Sequence, residues 1–103
     1  MFIVETMVLV MLYQTTVKPN AADEMDTIRE GFKPIYEKHG INVIGHWKSV
    51  EYPNESFYMV QYESEDDYKQ KTRILHSDEQ YLRLTSQLNE VRTDFKSTKL
   101  TPK

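Results

Sequence analysis

The stretch at residues 39–64, HGINVIGHWKSVEYPNESFYMVQYES, constrains the fold more than any other part of the chain. Two runs rich in β-branched and aromatic residues, 41–52 and 56–63, flank a turn-forming PNE at 53–55. Such residues pack well on a pleated surface, and Pro followed by Asn favours a turn. The stretch therefore predicts a β-hairpin. Gly45, in the middle of its first strand, predicts a bulge or the close approach of another group.

The first and last strands are predicted at residues 7–17 and 95–101. The apolar run MVLVMLY at 7–13 indicates a strand that is covered on both faces. The closing run FKSTKLT alternates polar residues and predicts a strand that is half exposed or lies at a sheet edge. Residues 2–6 form either a frayed or a swapped extension of the first strand, and the sequence leaves both open.

A first helix is predicted from Asn20 to about His39. Asn20 is the expected N-cap, because its side chain can accept a backbone N–H of the first turn. The apolar stripe at helical spacing consists of Met25, Ile28, Phe32, Ile35, Tyr36 and His39. Pro34 lies within this stripe, so we expect a kink near residues 31–34 without a break. Gly40 then supplies the left-handed conformation that ends a helix.

Two further helices are predicted to begin after Ser64 and Ser77. Each serine is followed three residues later by Asp67 or Gln80, a pattern typical of a helix N-terminus. The apolar stripe of the last helix consists of Tyr81, Leu84, Leu88 and Val91.

The predicted order, β-α-β-β-α-α-β, indicates an α+β, ferredoxin-like domain with a four-stranded antiparallel sheet and helices on one face. A chain of 103 residues suits a single such domain. The first three strands nevertheless carry apolar residues on both faces, so helices on one side leave the other side uncovered. The simplest cover is the same face of a second copy, so we expect a homodimer.

Charge and composition argue against several classes of function. A formal net charge of −3 disfavours general nucleic-acid binding, which needs a basic surface. The absence of cysteine excludes disulfides, thiolate metal sites and a cysteine nucleophile. The apolar start has no basic segment, and its run at 7–13 is too short to span a bilayer. We therefore expect a cytoplasmic protein with no membrane partner.

Short motifs, taken in their order and spacing, resemble the NIPSNAP family. They are KHG at 38–40, VIGHW at 43–47, NE at 54–55, MVQYES at 59–64 and SDEQY at 77–81. The internal proline and the closing KL at 99–100 also fit, so the likeness covers about residues 8–101. The chain departs from the family pattern at Gln61, where an acid is common, and in a shorter hairpin turn without the usual glycine.

The resemblance implies a dimeric α/β barrel, in which two ferredoxin-like sheets pack face to face. This implication agrees with the homodimer expected from the uncovered sheet face. The family has no established general activity. Related barrel families include cofactor-free monooxygenases and haem-degrading enzymes, which is an analogy at the level of the fold alone.

Five residues are candidates for contact with a ligand: His46, Trp47, Gln61, Tyr62 and His76. His46 is either an ordinary strand histidine or a polar group presented to a ligand. Trp47 and Gln61 lie opposite each other if the hairpin has a three-residue loop, whereas another register separates them. His76 is either a junction residue between two helices or, by analogy with haem enzymes of this barrel type, a histidine above the sheet.

These residues support three hypotheses about function. The first is a NIPSNAP-type barrel protein of uncharacterised function that binds a small apolar molecule. The second is a cofactor-independent monooxygenase acting on an activated aromatic compound, and the third is a haem-binding or haem-degrading protein that uses His46 or His76. No histidine pair has metal-ligand spacing, and no nucleophile elbow or phosphate loop occurs, so we expect neither metal nor cofactor. Whether the chain is an enzyme stays open.

Overall fold

Four antiparallel strands form one sheet, and three helices pack on one of its faces. The computed structural model describes residues 8–102, so the predictions for residues 2–6 and Met7 lie outside the described residues. The elements are β1 (Leu9–Val17), α1 (Ala22–Lys38), β2 (Asn42–Lys48), β3 (Glu55–Tyr62), α2 (Glu65–Leu75), α3 (Glu79–Val91) and β4 (Arg92–Leu100). The strands lie in the order β2-β3-β1-β4. The predicted α+β, ferredoxin-like order is confirmed.

The core lies between the helices and one face of the sheet. Residues directly opposite in antiparallel strands point to the same side, so the paired Met11 and Val60 both point to the helices. The predicted stripe of α1 is buried against them, except for the half-buried His39. In α3, Leu88 and Val91 are buried, and the rest of its stripe packs against the same core.

The other face of the sheet carries apolar side chains and no described helix. Its central pairs are Leu12 with Met59 and Trp47 with Phe57. Leu12, Phe57 and Met59 are half-buried, and Trp47 is 50% exposed. The sequence predicted this apolar face without helical cover; it is termed the open face below.

A β-bulge in β2 decides which side chains face the helices. The register with β3 shifts between Val43 and Gly45, which leaves Ile44 as the extra residue. Because of this extra residue, His46 shares the helix-covered face with Val43, while Trp47 points to the open face. A Cβ atom on Gly45 would lie 2.6 Å from the Trp47 ring. The bulge and the close approach predicted at Gly45 are therefore both present.

The expected N-cap of α1 is wrong. Ala21 occupies the N-cap position without a side-chain hydrogen bond, and Asn20 has φ 71, in the left-handed region. Asn20 completes a turn in which the Ala21 N–H donates to the Lys18 carbonyl over 3.1 Å. Asparagine tolerates this conformation better than most residues, so its turn preference outweighs its capping preference. Gly40 ends the helix with φ 74, as predicted.

Helix α1 runs unbroken through Pro34, as predicted, while the kink stays a prediction. Ser64 caps α2 as predicted, accepting a hydrogen bond from the Asp67 N–H over 3.0 Å. The expected cap at Ser77 is wrong, because Asp78 accepts from the N–H groups of Gln80 and Tyr81. The Ser77 N–H instead closes the last turn of α2. No described helix is both long and apolar enough to cross a membrane.

The hairpin has a longer loop than the sequence indicated. β2 ends at Lys48, and residues 49–54 form the loop, in which Val50 is 98% exposed. The side-chain amide of Asn54 donates to the Val17 and Lys18 carbonyls, which ties the loop to the end of β1. The prediction of a strand at 41–52 therefore extends too far.

The register of the hairpin differs from the one that a three-residue loop would give. Trp47 pairs with Phe57 and Gln61 pairs with Asn42, so Trp47 and Gln61 share the open face without lying opposite each other. β4 lies at the sheet edge, as predicted, but begins three residues earlier than expected. The backbone of Arg92 is already extended there, directly after α3.

Candidate functional site

The candidate site is a cleft of about 200 Å³ between α1 and the β2–β3 pair. It is termed the Arg29 cleft. The residues that line it are Arg29, Glu30, Lys33, Val43, Ile44, Gly45, His46 and Tyr58. One wall is aliphatic and the other carries polar side chains, which is the mixture typical of small-molecule sites.

Arg29 is a buried cation on the inner side of α1. It is 4% exposed, and its Nη2 donates to the Thr15 hydroxyl over 2.9 Å. Its Cζ lies 4.8 Å from the ring centroid of Tyr58 and 5.4 Å from that of Phe32, both cation–π distances. Among residues 8–102, no carboxylate pairs with Arg29 and no acceptor meets its Nε. Burial lowers the pKa of Arg29.

His46 reaches the cleft from β2 because the bulge turns it toward the helices. Its ring centroid lies 5.6 Å from that of Tyr58, in an edge-on arrangement. Its Nε2 is buried without a hydrogen-bond partner in the described chain. Burial lowers the pKa of His46, and the Arg29 charge lowers it further. The imidazole is therefore neutral at neutral pH.

Tyr58 lies between the other two polar groups. It is 2% exposed, and no described residue hydrogen-bonds to its hydroxyl. Burial raises the pKa of Tyr58 to about 12, so the hydroxyl keeps its proton. Three residues that line the cleft thus carry a buried polar atom without a protein partner: Arg29 Nε, His46 Nε2 and Tyr58 Oη. The same is true of Tyr62 Oη, which belongs to a residue outside the cleft. Each can donate a hydrogen bond, His46 in the appropriate tautomer.

A second, smaller cavity of about 50 Å³ is also lined by Arg29. Arg92 also lines it, with its Cζ 4.5 Å from the ring centroid of Phe95. The Phe95 ring stacks on Tyr13 at a centroid distance of 5.9 Å. Arg29 therefore borders two interior spaces, and a second guanidinium lies in the smaller one.

The five candidates from the sequence do not form one cluster. His46 lines the Arg29 cleft, whereas Trp47 and Gln61 lie on the open face. Tyr62 faces the helices and is buried, with its ring 5.1 Å from that of Tyr68. His76 is exposed at the end of α2. Neither Tyr62 nor His76 lines the cleft.

Sequence reasoning missed Arg29 and Tyr58. The signal for Arg29 was present, because it lies four residues after Met25 and three before Phe32, on the apolar stripe of α1. At this position Arg29 is buried with the stripe. Tyr58 alternates with the buried Ser56 and Val60, but its role depends on the hairpin register.

A separate polar cluster joins the end of α1 to the start of α3. Asp78 Oδ2 accepts from His39 Nε2 over 2.7 Å and lies 2.9 Å from Lys38 Nζ. The hydrogen bonds from His39 and Lys38 hold the pKa of Asp78 well below its usual range. His39 is thus satisfied by the protein itself.

Solved structures share this fold at low sequence identity. A NIPSNAP family protein from Agrobacterium tumefaciens has a TM-score of 0.84 at 17% identity, over 100% of this chain and 92% of that one. A NIPSNAP-like domain protein from Burkholderia xenovorans has a TM-score of 0.80 at 20% identity, over 93% of this chain and 85% of that one. A provisionally assigned antibiotic biosynthesis monooxygenase from Bacteroides thetaiotaomicron has a TM-score of 0.73 at 14% identity, over 92% of this chain and 89% of that one. At these identities the likeness shows the fold alone.

The sequence comparison is more specific than the structural one. No curated protein matches the chain. The NIPSNAP family model, in contrast, matches residues 11–102, which include the whole Arg29 cleft and all but the first two residues of the described strands and helices. Because this match spans nearly the entire sequence, the chain belongs to the NIPSNAP family.

Proposed function

We propose that this protein is a homodimeric barrel that binds a small molecule in the Arg29 cleft. One observation carries the proposal: Arg29, His46 and Tyr58 line the same cleft, and each has a buried polar atom without a protein partner in the described chain. Buried polar groups in folded proteins are almost always hydrogen-bonded. An occupant with polar atoms would satisfy all three at once.

The size and lining of the cleft favour a single-ring or short acyl compound. Its volume of about 200 Å³ is below the range of roughly 300–1,000 Å³ that is usual for drug-sized ligands. This volume suits a single ring better than a porphyrin. Val43 and Ile44 supply an apolar wall, in keeping with the apolar ligand expected from the sequence, while the three polar atoms would orient one end of the ligand.

The homodimer is proposed from the open face. Leu12, Trp47, Phe57 and Met59 form a contiguous apolar area on that face, and such areas on small proteins mark interaction sites. Two copies packed face to face would cover it and close a barrel. A stable interface of this kind buries about 2,000 Å² or more. Sedimentation at micromolar concentration tests this part, and a stable monomer would refute it.

A cofactor-independent monooxygenase is the second candidate. The neutral imidazole of His46, beside a cleft of single-ring size, is a suitable base for removing a proton from a phenolic substrate. Dioxygen would be the oxidant and the substrate itself the reductant. Oxygen uptake with a phenolic substrate, lost in His46→Ala and kept in His76→Ala, would support this candidate. No uptake above the rate without protein would refute it.

Imidazole NMR signals provide the test of binding, because the chain has three histidines. We expect benzyl alcohol and other single-ring compounds to shift the His46 signals saturably and to leave those of His76 unchanged. Trp47 fluorescence is a poorer probe of the cleft, since Trp47 lies on the opposite face. Tyr58→Phe, which removes only the hydroxyl, should weaken binding, with Tyr52→Phe in the exposed loop as control. Equal shifts at His46 and His76, or none at either, would overturn the proposal.

A further inference from the structure

We infer that the ligand of the Arg29 cleft is an organic anion with a carboxylate group, and that Arg29 binds this group. The inference rests on the proposed function and narrows it to a ligand class. It starts from the charge of the site rather than from its shape.

The cation of Arg29 lacks a counter-ion in the described chain. The ion pairs among residues 8–102 use other cations, namely Lys38, His39, Lys48, Lys71 and Lys99. At 4% exposure, Arg29 is also shielded from water. Burying a charge without a partner is costly, and a bound anion would remove that cost. Arg29 is therefore the group that gains most from an anionic ligand.

The charges around the cleft add to this preference. Lys33 lines the cleft together with Arg29, and Glu30 is its only acidic lining residue among those described. Arg92 in the adjoining cavity contributes a further positive charge, which lowers the pKa of Arg29. Lys33 and Glu30 are both exposed, whereas the charged groups that are buried or half-buried around the two spaces, Arg29 and Arg92, are both cations. The charge inside is therefore positive, although the whole chain has a formal net charge of −3.

The hydrogen-bond chemistry distinguishes a carboxylate from other polar groups. Arg29 Nε can only donate, and protonated Tyr58 and neutral His46 can each donate as well. An ionised carboxylate has only acceptors, on two oxygens, so it matches several donors that belong to the lining of one cleft. A hydroxyl or an amide also carries a donor, which needs an acceptor, whereas the three groups named above offer donors.

His46 provides an internal sensor of ligand charge. The charged groups around it are Arg29, Asp26 and Glu30 from α1 and Lys48 from its own strand, with the neutral Tyr58 across from it. A bound anion would offset the Arg29 charge that now helps to keep the pKa of His46 low. Binding of an anion should therefore raise the pKa of His46, whereas a neutral ligand should not.

The experiment compares benzoate with benzyl alcohol, which have the same ring and differ in charge. Dissociation constants come from titrations of the wild-type protein, followed by the His46 signals. We expect benzoate to bind at least about tenfold tighter at neutral pH. We also expect bound benzoate to raise the pKa of His46, and its affinity to increase as the pH falls from 8 to 6. Arg29→Gln should abolish the preference for benzoate, while Arg73→Gln, on the exposed side of α2, should retain it.

Each outcome has a distinct meaning. Binding of benzyl alcohol with equal or weaker binding of benzoate overturns the anion inference and leaves the proposed function standing. Benzoate binding without a rise in the pKa of His46 also overturns it, since the carboxylate then lies elsewhere. This second readout needs no variant, so it remains decisive if Arg29→Gln does not fold. Failure of both compounds to shift His46 overturns the inference together with the proposed function.

Discussion

The two faces of the sheet differ in how their polar groups are satisfied. The helix-covered face holds four buried polar atoms that the described chain leaves without partners: three belong to Arg29, His46 and Tyr58 around the cleft, and the fourth is the Tyr62 hydroxyl apart from it. The open face has an apolar centre, where Leu12 pairs with Met59, and no buried polar atom of the described chain without a partner lies there. Unsatisfied donors favour a small polar ligand, whereas an apolar surface favours a second protein surface.

One residue of the bulge separates these two environments. Without Ile44 as an extra residue, the alternation of β2 would place Trp47 toward the helices and His46 on the open face. The bulge thus gives the cleft its imidazole and gives the open face its tryptophan. The comparison of the two faces depends on this local irregularity as much as on the overall fold.

The largest expected effect comes from placing a charge on the open face. Leu12→Asp should convert the proposed homodimer into a monomer, because an unpaired carboxylate would be buried at the centre of the interface. We expect the dimer dissociation constant to rise by at least about 100-fold, which corresponds to roughly 3 kcal/mol. Sedimentation velocity measures the change, and circular dichroism should show a retained fold.

Asn89→Asp is the matched control, since it adds the same charge on the exposed side of α3. It should leave the sedimentation coefficient unchanged. Equal sedimentation of Leu12→Asp and the wild-type dimer would show that the open face is not the interface. The assignment of one face to a ligand and the other to a second copy would then be wrong.

A smaller effect is expected from removing the buried cation of the other face. The double variant Arg29→Met with Thr15→Val replaces a buried polar pair by apolar side chains of similar volume. Such replacements are often neutral or stabilising by about 1–4 kcal/mol. We expect the free energy of unfolding in urea to stay equal or rise, while binding of benzoate is lost.

The single variant Thr15→Val gives the reference for this experiment. It leaves the Arg29 guanidinium with one donor fewer satisfied, so it should lower the free energy of unfolding by about 1–3 kcal/mol. A double variant that is less stable than the single one would mean that the cation stabilises the fold, and the case for a ligand-binding role would weaken.

Periodicity predicted the elements of this fold because each helix and strand buries one regular face. The stripe of α1 and the alternation of β3 were readable for that reason, and the uncovered apolar face followed from them. The predictions of the helix caps failed because other local interactions compete with capping. Asn20 and Ser77 have good capping side chains, but Asn20 adopts the left-handed conformation of a turn and the Ser77 N–H closes the last turn of α2.

The candidate site was less predictable than the fold. Of the ligand-binding candidates, His46 lines the cleft, whereas the bulge and the longer loop place Trp47 and Gln61 on the other face, and a role in ligand binding stays a prediction for all three. Arg29 was missed because a charged residue in a helix is usually assigned to the solvent-exposed side, although its spacing places it on the apolar stripe. A search for charged residues in phase with a buried stripe would have found it.

The smallest effect concerns a polar cluster that the protein satisfies itself, in contrast to the cleft. His39 and Lys38 lower the pKa of Asp78 in the folded state, so Asp78 contributes stability above its unfolded pKa of about 3.9. That contribution decreases as the pH falls from this value towards the lower pKa of the folded state, because the unfolded chain binds the proton first. Asp78→Asn keeps a capping side chain for α3 but removes the charge, so its melting temperature should fall less between pH 6 and pH 3 than that of the wild type.

Asp66→Asn changes an exposed residue in the first turn of α2, so it is the control and should follow the wild-type profile closely. Thermal unfolding across this pH range measures the difference. If Asp78→Asn and the wild type lose stability in parallel, the link between α1 and α3 is not electrostatic.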